Sequence, residues 1–258
     1  MDNNELQIND VLNKLLEARN NNDIITESEQ FTILGTMYLE CEELDASREY
    51  FLQSVKLLNY YEGNDKSVLN KYYFINYLHL ADILFTEDKY QASRTNLDKA
   101  NSYKDGIDVA PKYLMHDELL NLALLSKANK VKDAKALLPA VIKNVMQHMD
   151  DIETLFSEYR FLVLIIDDMK EYDTEKTVLT LLESALGKIN SSALTIELLT
   201  LKLNYYKSVK DNKGIAETCI NYAKAIKELE NKETEAASSI ITTLIKGYEH
   251  DHSISIEG

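Results

Sequence analysis

Glycine and proline are scarce, seven and two among 258 residues, where the pair usually supplies roughly 12%. Chains built from strands and tight turns need them at every reversal, so their scarcity points to long helices joined by short connections. Cysteine is equally sparse. Cys41 and Cys219 are the only two, far apart and in no CxxC pair, which excludes a disulfide framework and fits a reducing compartment. The longest apolar run, residues 161–166, is far short of the ~20 residues that span a bilayer. Residues 1–6 have neither the basic start nor the apolar core of a signal peptide. A soluble, cytoplasmic protein is expected. Basic residues are outnumbered, 28 against 43 acidic, for a net charge of −15. Nucleic-acid binding rests on Lys and Arg displacing counterions, so neither nucleic acid nor a membrane is an expected partner.

The groups an enzyme would use are not assembled either. His79, His116, His148, His250 and His252 form no HExxH motif and no Cys/His cluster with zinc spacing. His250 and His252 lie in a C-terminal segment, 250–258, that reads as a flexible tail. Asp150 and Asp151 stand where a helix should begin and suit its N-terminus. Asp167 and Asp168 stand near a helix end, where the dipole disfavours them. There is no glycine-rich phosphate loop and no GxSxG elbow. No enzyme, cofactor or metal site is expected.

What the chain does have is a repeat. Phe31, Leu34, Gly35 and Tyr38 mark one helical face, and Leu44, Ser47, Phe51 and Ser54 mark a second after a short turn. Tyr77, Leu80, Ala81 and Leu84 with Tyr90, Ser93, Leu97 and Ala100 repeat the pattern. A third unit pairs Leu122 and Leu125 with Val131, Ala134, Leu138 and Val141. The fourth pairs Tyr159, Leu162, Val163 and Ile166 with Tyr172, Leu179 and Leu182, and carries Glu175 where a small residue is expected. A fifth pairs Leu198, Leu201 and Tyr205 with Ala216, Ile220 and Ala223, provided its turn is one or two residues longer. With Ser47, Ser93, Ala134, Glu175 and Ala216 as equivalents, the spacings are 46, 41, 41 and 41. Gly63, Gly106 and Gly187 fall between units. Pro139 falls inside a helix that it should kink or break.

The expected architecture is all-α: a right-handed superhelical array of five antiparallel helix hairpins, at about 24–63, 64–106, 107–148, 149–188 and 189–230. A capping helix precedes it in 1–23, and a capping or linker helix follows in 231–249. No gap in the sequence suggests a second domain. On the last helix Ala237, Ile240, Ile241, Leu244, Ile245 and Tyr248 form an apolar stripe that must cap the array, join another domain or pair with its copy in a homodimer. The first helices of the hairpins should line a groove carrying Asn76, Asp82, Asn121, Arg160, Asp168 and Asn204. Asn can bond an extended peptide backbone. Arg160, between Tyr159 and Phe161, needs an acidic partner, internal or from a ligand.

Aromatic, Leu, small and Tyr on one helix, then small, aromatic and small on the next, resembles the tetratricopeptide repeat, with helices about a turn longer than the ordinary 34-residue unit. The Lys/Asn/Arg clamp of the members that bind chaperone C-termini is missing, since Thr32, Thr36, Leu78 and Asp82 stand in its places. Residues 204–229 and the helix after them resemble the end of the regulatory repeat regions that precede bacterial GGDEF diguanylate cyclases. That resemblance implies a sensory or regulatory module for an output domain that is absent here, with a protein or peptide as ligand. The alternative resemblance is to peptide-pheromone receptors of the Rap type.

Overall fold

The computed structural model describes residues 3–63, 66–128, 130–189 and 191–254, except the side chains of 3–7, 233 and 235–254. Among these residues there are eleven α-helices and no strand: α1 Asn3–Asn21, α2 Ile24–Glu40, α3 Leu44–Leu58, α4 Asn70–Thr86, α5 Tyr90–Asn101, α6 Pro111–Lys127, α7 Val131–Met146, α8 Ile152–Asp168, α9 Tyr172–Leu186, α10 Ser192–Ser208 and α11 Asn212–Ile254. The even-numbered helices α2 to α10 are each 17 residues long. Each is followed by a turn that returns the chain into its odd-numbered partner, so the hairpin is the repeating element.

One turn design recurs between helices. The N–H groups of Asp23, Glu43, Lys89, Glu171 and Asp211 each donate to the carbonyl five residues back, at 2.8–3.2 Å. This is the Schellman closure, which requires a left-handed residue just before the donor. Asn22, Glu42, Asp88, Lys170 and Lys210 hold that place, with φ between 54° and 62°. A chain poor in glycine therefore makes its turns with residues that resist this conformation, at roughly 1 kcal/mol each. Glu42→Gly and Lys170→Gly should each raise stability by about 0.5–1 kcal/mol. Asn22→Gly should gain less, because Asn tolerates the left-handed region. Urea midpoints of the three variants test this ordering.

The chain divides into two compact units, Met1–Asn144 and Val145–Gly258, with the division inside α7. The sequence shows no gap there because the boundary is a helix interior rather than a linker. In the first unit α1 packs on α2, α2 on α3 and α4, α3 on α4, α4 on α5 and α6, and α5 on α6. Gly35 lies so close to the buried ring of Phe51 that a Cβ would stand 2.7 Å from it. The hydroxyls of Ser47 and Ser93 donate to the carbonyls of Gly35 and Ala81 at 2.8 and 2.7 Å, so the small residues let paired helices touch. Pro139 does not break α7, which runs through it. The proline is on the exposed side of the helix.

In the second unit α8 packs on α9 and α10, α9 on α10, and α10 on α11. Tyr159, Leu162, Val163, Ile166, Leu179 and Leu182 are buried as the periodicity predicts. The fifth hairpin departs from it. Its turn is three residues, like the others, so α11 starts earlier than the sequence alignment allows and presents a different face. Ala216, Ile220 and Ala223 are exposed, and Gly214, Thr218 and Ala225 are buried instead. A Cβ on Gly214 would stand 2.4 Å from the Tyr206 ring, the same close approach that Gly35 makes to Phe51.

The C-terminal helix also differs from expectation. No break separates 230 from 231: α11 is one helix of 43 residues that reaches Ile254. The segment expected as a tail is therefore helical to that point. Residues 255–258, and the side chains of the predicted stripe and of His250 and His252, lie outside the described residues.

Candidate functional site

The six groove candidates fall into different environments, and the unit they belong to decides which. In the first unit Asn76 faces no groove. It is fully buried, and its Nδ2 donates to Ser54 Oγ at 2.9 Å and to the Tyr72 carbonyl at 2.7 Å. Its Oδ1 lies 3.1 Å from the Thr32 hydroxyl, which is also 3.0 Å from the Ser28 carbonyl. Ser28 and Ser54 close the cluster, with their hydroxyls 2.7 Å apart. Asn76 thus ties α2, α3 and α4 together in a buried network. Asn121 is committed as well: Arg94 of α5 donates to its side-chain oxygen at 2.7 Å and to its carbonyl at 3.3 Å.

Asp82 pairs with His116 of α6, Oδ1 to Nε2 at 3.2 Å. Burial opposes its ionisation, but the charge and hydrogen bond of His116, with His79 adding, hold its carboxyl below the ordinary value. His79 stacks on Phe51 with centroids 4.7 Å apart and meets Tyr113 edge-on. Burial first, then the neighbouring His116, pushes its imidazole down to about 4. These side chains pack into one cluster between helices, in which His79 Nε2 has no hydrogen-bond partner. Among the described residues no group of three or more His, Cys, Asp or Glu is arranged to hold a metal ion.

The other three candidates, Arg160, Asp168 and Asn204, are exposed on α8 and α10 of the second unit. Glu153, Ser157, Arg160 and Leu164 are spaced four, three and four residues apart, one stripe along α8, and all are exposed. Asp168 continues the stripe at the helix end. Glu197, Thr200 and Asn204 run beside it on α10. Between the two helices lies a cavity of 280 Å³ lined by Glu153, Phe156, Ser157, Arg160, Leu194 and Glu197, among others. Arg160 reaches Glu197 at 3.6 Å, with both side chains about half exposed. Leu164 is 46% exposed among these polar groups.

Half of the sequence candidates lie on this face. Sequence reasoning passed over Glu197 and Glu153. Numbering each 17-residue helix from its first residue would have found Glu197, because it occupies on α10 the place of Ser157 on α8.

Below this face sits a carboxyl that the repeat pattern flags as out of place. Glu175 on α9 is 1% exposed, and its Oε2 has no hydrogen-bond partner. Burial, with Asp167 of α8 beside it, pushes its carboxyl up to about 7. Tyr205 of α10 borders the same spot, and its phenol is raised by burial and by Glu175 in turn.

The described residues define an all-α protein with a helical-repeat-like fold. No helix among them is long and apolar enough to cross a membrane. No family model and no curated protein matches the chain. Among solved structures it is similar to the crystal structure of BtubC (BKLC) from P. vanneervenii, with a TM-score of 0.64 over 89% of this chain and 93% of that one. At 11% identity the likeness concerns the fold alone.

Proposed function

We propose that this chain is a non-catalytic, tetratricopeptide-like scaffold that binds a protein or peptide segment, the regulatory module of a bacterial signalling protein acting in the cytoplasm. The observation that carries the reading is the α8–α10 face. Two neighbouring first helices of successive hairpins present exposed Arg160, Leu164 and Asn204 beside a cavity. Side chains of mixed chemistry on a rigid helical support suit recognition of an extended segment, with pockets for its side chains and polar groups for its backbone. Leu164, 46% exposed, gives the face an apolar contact point. The 43-residue α11 far outruns its 17-residue partner α10, a length suited to linking an output domain or pairing with a second copy.

Selection of a random dodecapeptide library on the immobilised protein tests the binding face. Enriched peptides should lose roughly tenfold or more in affinity to Leu164→Asp and to Arg160→Ala, exposed changes that leave the fold intact. Failure to enrich any peptide, or enriched peptides indifferent to both substitutions, would sink the reading.

A further inference from the structure

We propose that the α8–α10 face takes an extended polypeptide segment carrying a lysine or arginine and, about five residues further along, a bulky aliphatic side chain. This rests on the scaffold reading and names its ligand chemistry. The cavity sets the first half of the pattern. Its 280 Å³ falls just below the ~300–1,000 Å³ of small-molecule sites, room for one long side chain. Glu153 and Glu197 line it from the two helices, and the single cation in the lining is Arg160.

Arg160 meets Glu197 at 3.6 Å, longer than a charge-assisted hydrogen bond, and both side chains are about half in solvent. Exposed pairs of this kind hold weakly, so an incoming cation can take Glu197 from Arg160 and sit between two carboxylates. The chain's net charge of −15 favours approach of the same basic partner.

Leu164 sets the second half. It continues the stripe of Glu153, Ser157 and Arg160, and at 46% exposure it offers an apolar side chain within that polar stripe. Eleven residues of helix separate Glu153 from Leu164, roughly 16 Å. An extended chain covers that distance in about five residues.

The test is a titration of the full ¹⁵N-labelled chain, followed by amide chemical shifts. The probe is the capped nonapeptide Ser-Arg-Ser-Ser-Ser-Ser-Leu-Ser-Ser. Three variants accompany it: arginine replaced by citrulline, arginine replaced by glutamate, and leucine moved next to the arginine. The arginine probe should produce saturable shifts confined to α8 and α10. The citrulline and displaced-leucine probes should bind roughly tenfold more weakly, and the glutamate probe should not saturate. A Glu153→Lys/Glu197→Lys chain, both positions being on the surface, should reverse the preference toward glutamate, and its spectrum reports directly that it is folded.

Equal affinity for the arginine and citrulline probes, or no saturable shift with the arginine probe, overturns the inference. Library peptides that bind this face without a basic residue would also overturn it while leaving the scaffold reading intact. That reading fails only if nothing selected depends on the face.

Discussion

Replacing Glu175 by glutamine should flatten the pH dependence of stability between about pH 4.5 and 7 and leave the variant more stable than the parent at pH 8 by about 2–3 kcal/mol. The carboxyl is pushed up to about 7 from an ordinary 4.5. Between those values the unfolded chain has released the proton and the folded chain still holds it. The folded state therefore binds more protons, and stability falls as pH rises through the window, then levels off above about 7. Each unit of displacement is worth about 1.4 kcal/mol, and partial relaxation of the site reduces the total.

The groups that set this are few. Burial strips the carboxylate of solvent, and Asp167 on α8 repels its ionised form. Glutamine keeps the volume and removes the charge. Urea unfolding of parent and variant at pH 5, 6, 7 and 8 should give curves that diverge steadily with pH. Parallel curves would mean that Glu175 is ionised at little cost in the folded chain.

Glu175 also shows how a sequence can mark an anomaly without explaining it. The repeat alignment identified it as a large acid in a small-residue position. Its buried carboxyl and its approach to Asp167 depend on how three helices pack, which spacing does not encode. The same division runs through the fold. Buried residues at intervals of three and four, such as Leu34 and Gly35 after Phe31 and Leu162 and Val163 after Tyr159, were legible because a helix face repeats with its pitch. Turn length in the fifth hairpin was not. A one- or two-residue slip rotates a helix by about 100–200°, so assuming a longer turn exchanged the buried and exposed faces of α11. The unit boundary inside α7 was equally hidden, because a division that falls within a helix has no linker composition to mark it.

For the site, residue type misled where burial decided. Asn76, Asn121 and Arg160 looked alike as polar residues on first helices of hairpins. Arg160 proved exposed, while Asn121 was engaged by Arg94 and Asn76 was enclosed by Ser28, Ser54 and Thr32. An aligned position would have hinted at this. Counted from each helix start, Gln30, Asn76 and Asp117 are equivalent, and all three are buried. A polar side chain kept at a recurrent interior position serves the packing of the hairpins.

Asn76→Ala should therefore destabilise the first unit by about 3–5 kcal/mol, the behaviour of a core residue. Two contributions add. The deletion leaves a void with no solvent access, since Asn76 is 0% exposed. It also removes three buried hydrogen bonds, those to Ser54 Oγ, the Tyr72 carbonyl and the Thr32 hydroxyl. Ser54 and Thr32 keep their bonds to Ser28, so each lost bond costs about 0.5–1.5 kcal/mol. Ser54→Ala, which removes a smaller volume but the shared centre of the network, should fall between Asn76→Ala and a surface change. A groove-facing asparagine would instead shift stability by no more than about 0.5 kcal/mol and would weaken binding of library peptides. Urea unfolding and peptide affinity measured on the same Asn76→Ala preparation separate these outcomes. A large loss of stability, with affinity retained under conditions where the variant stays folded, assigns Asn76 to the structure that holds α2, α3 and α4 in register. Unchanged stability with lost affinity would return it to the binding surface.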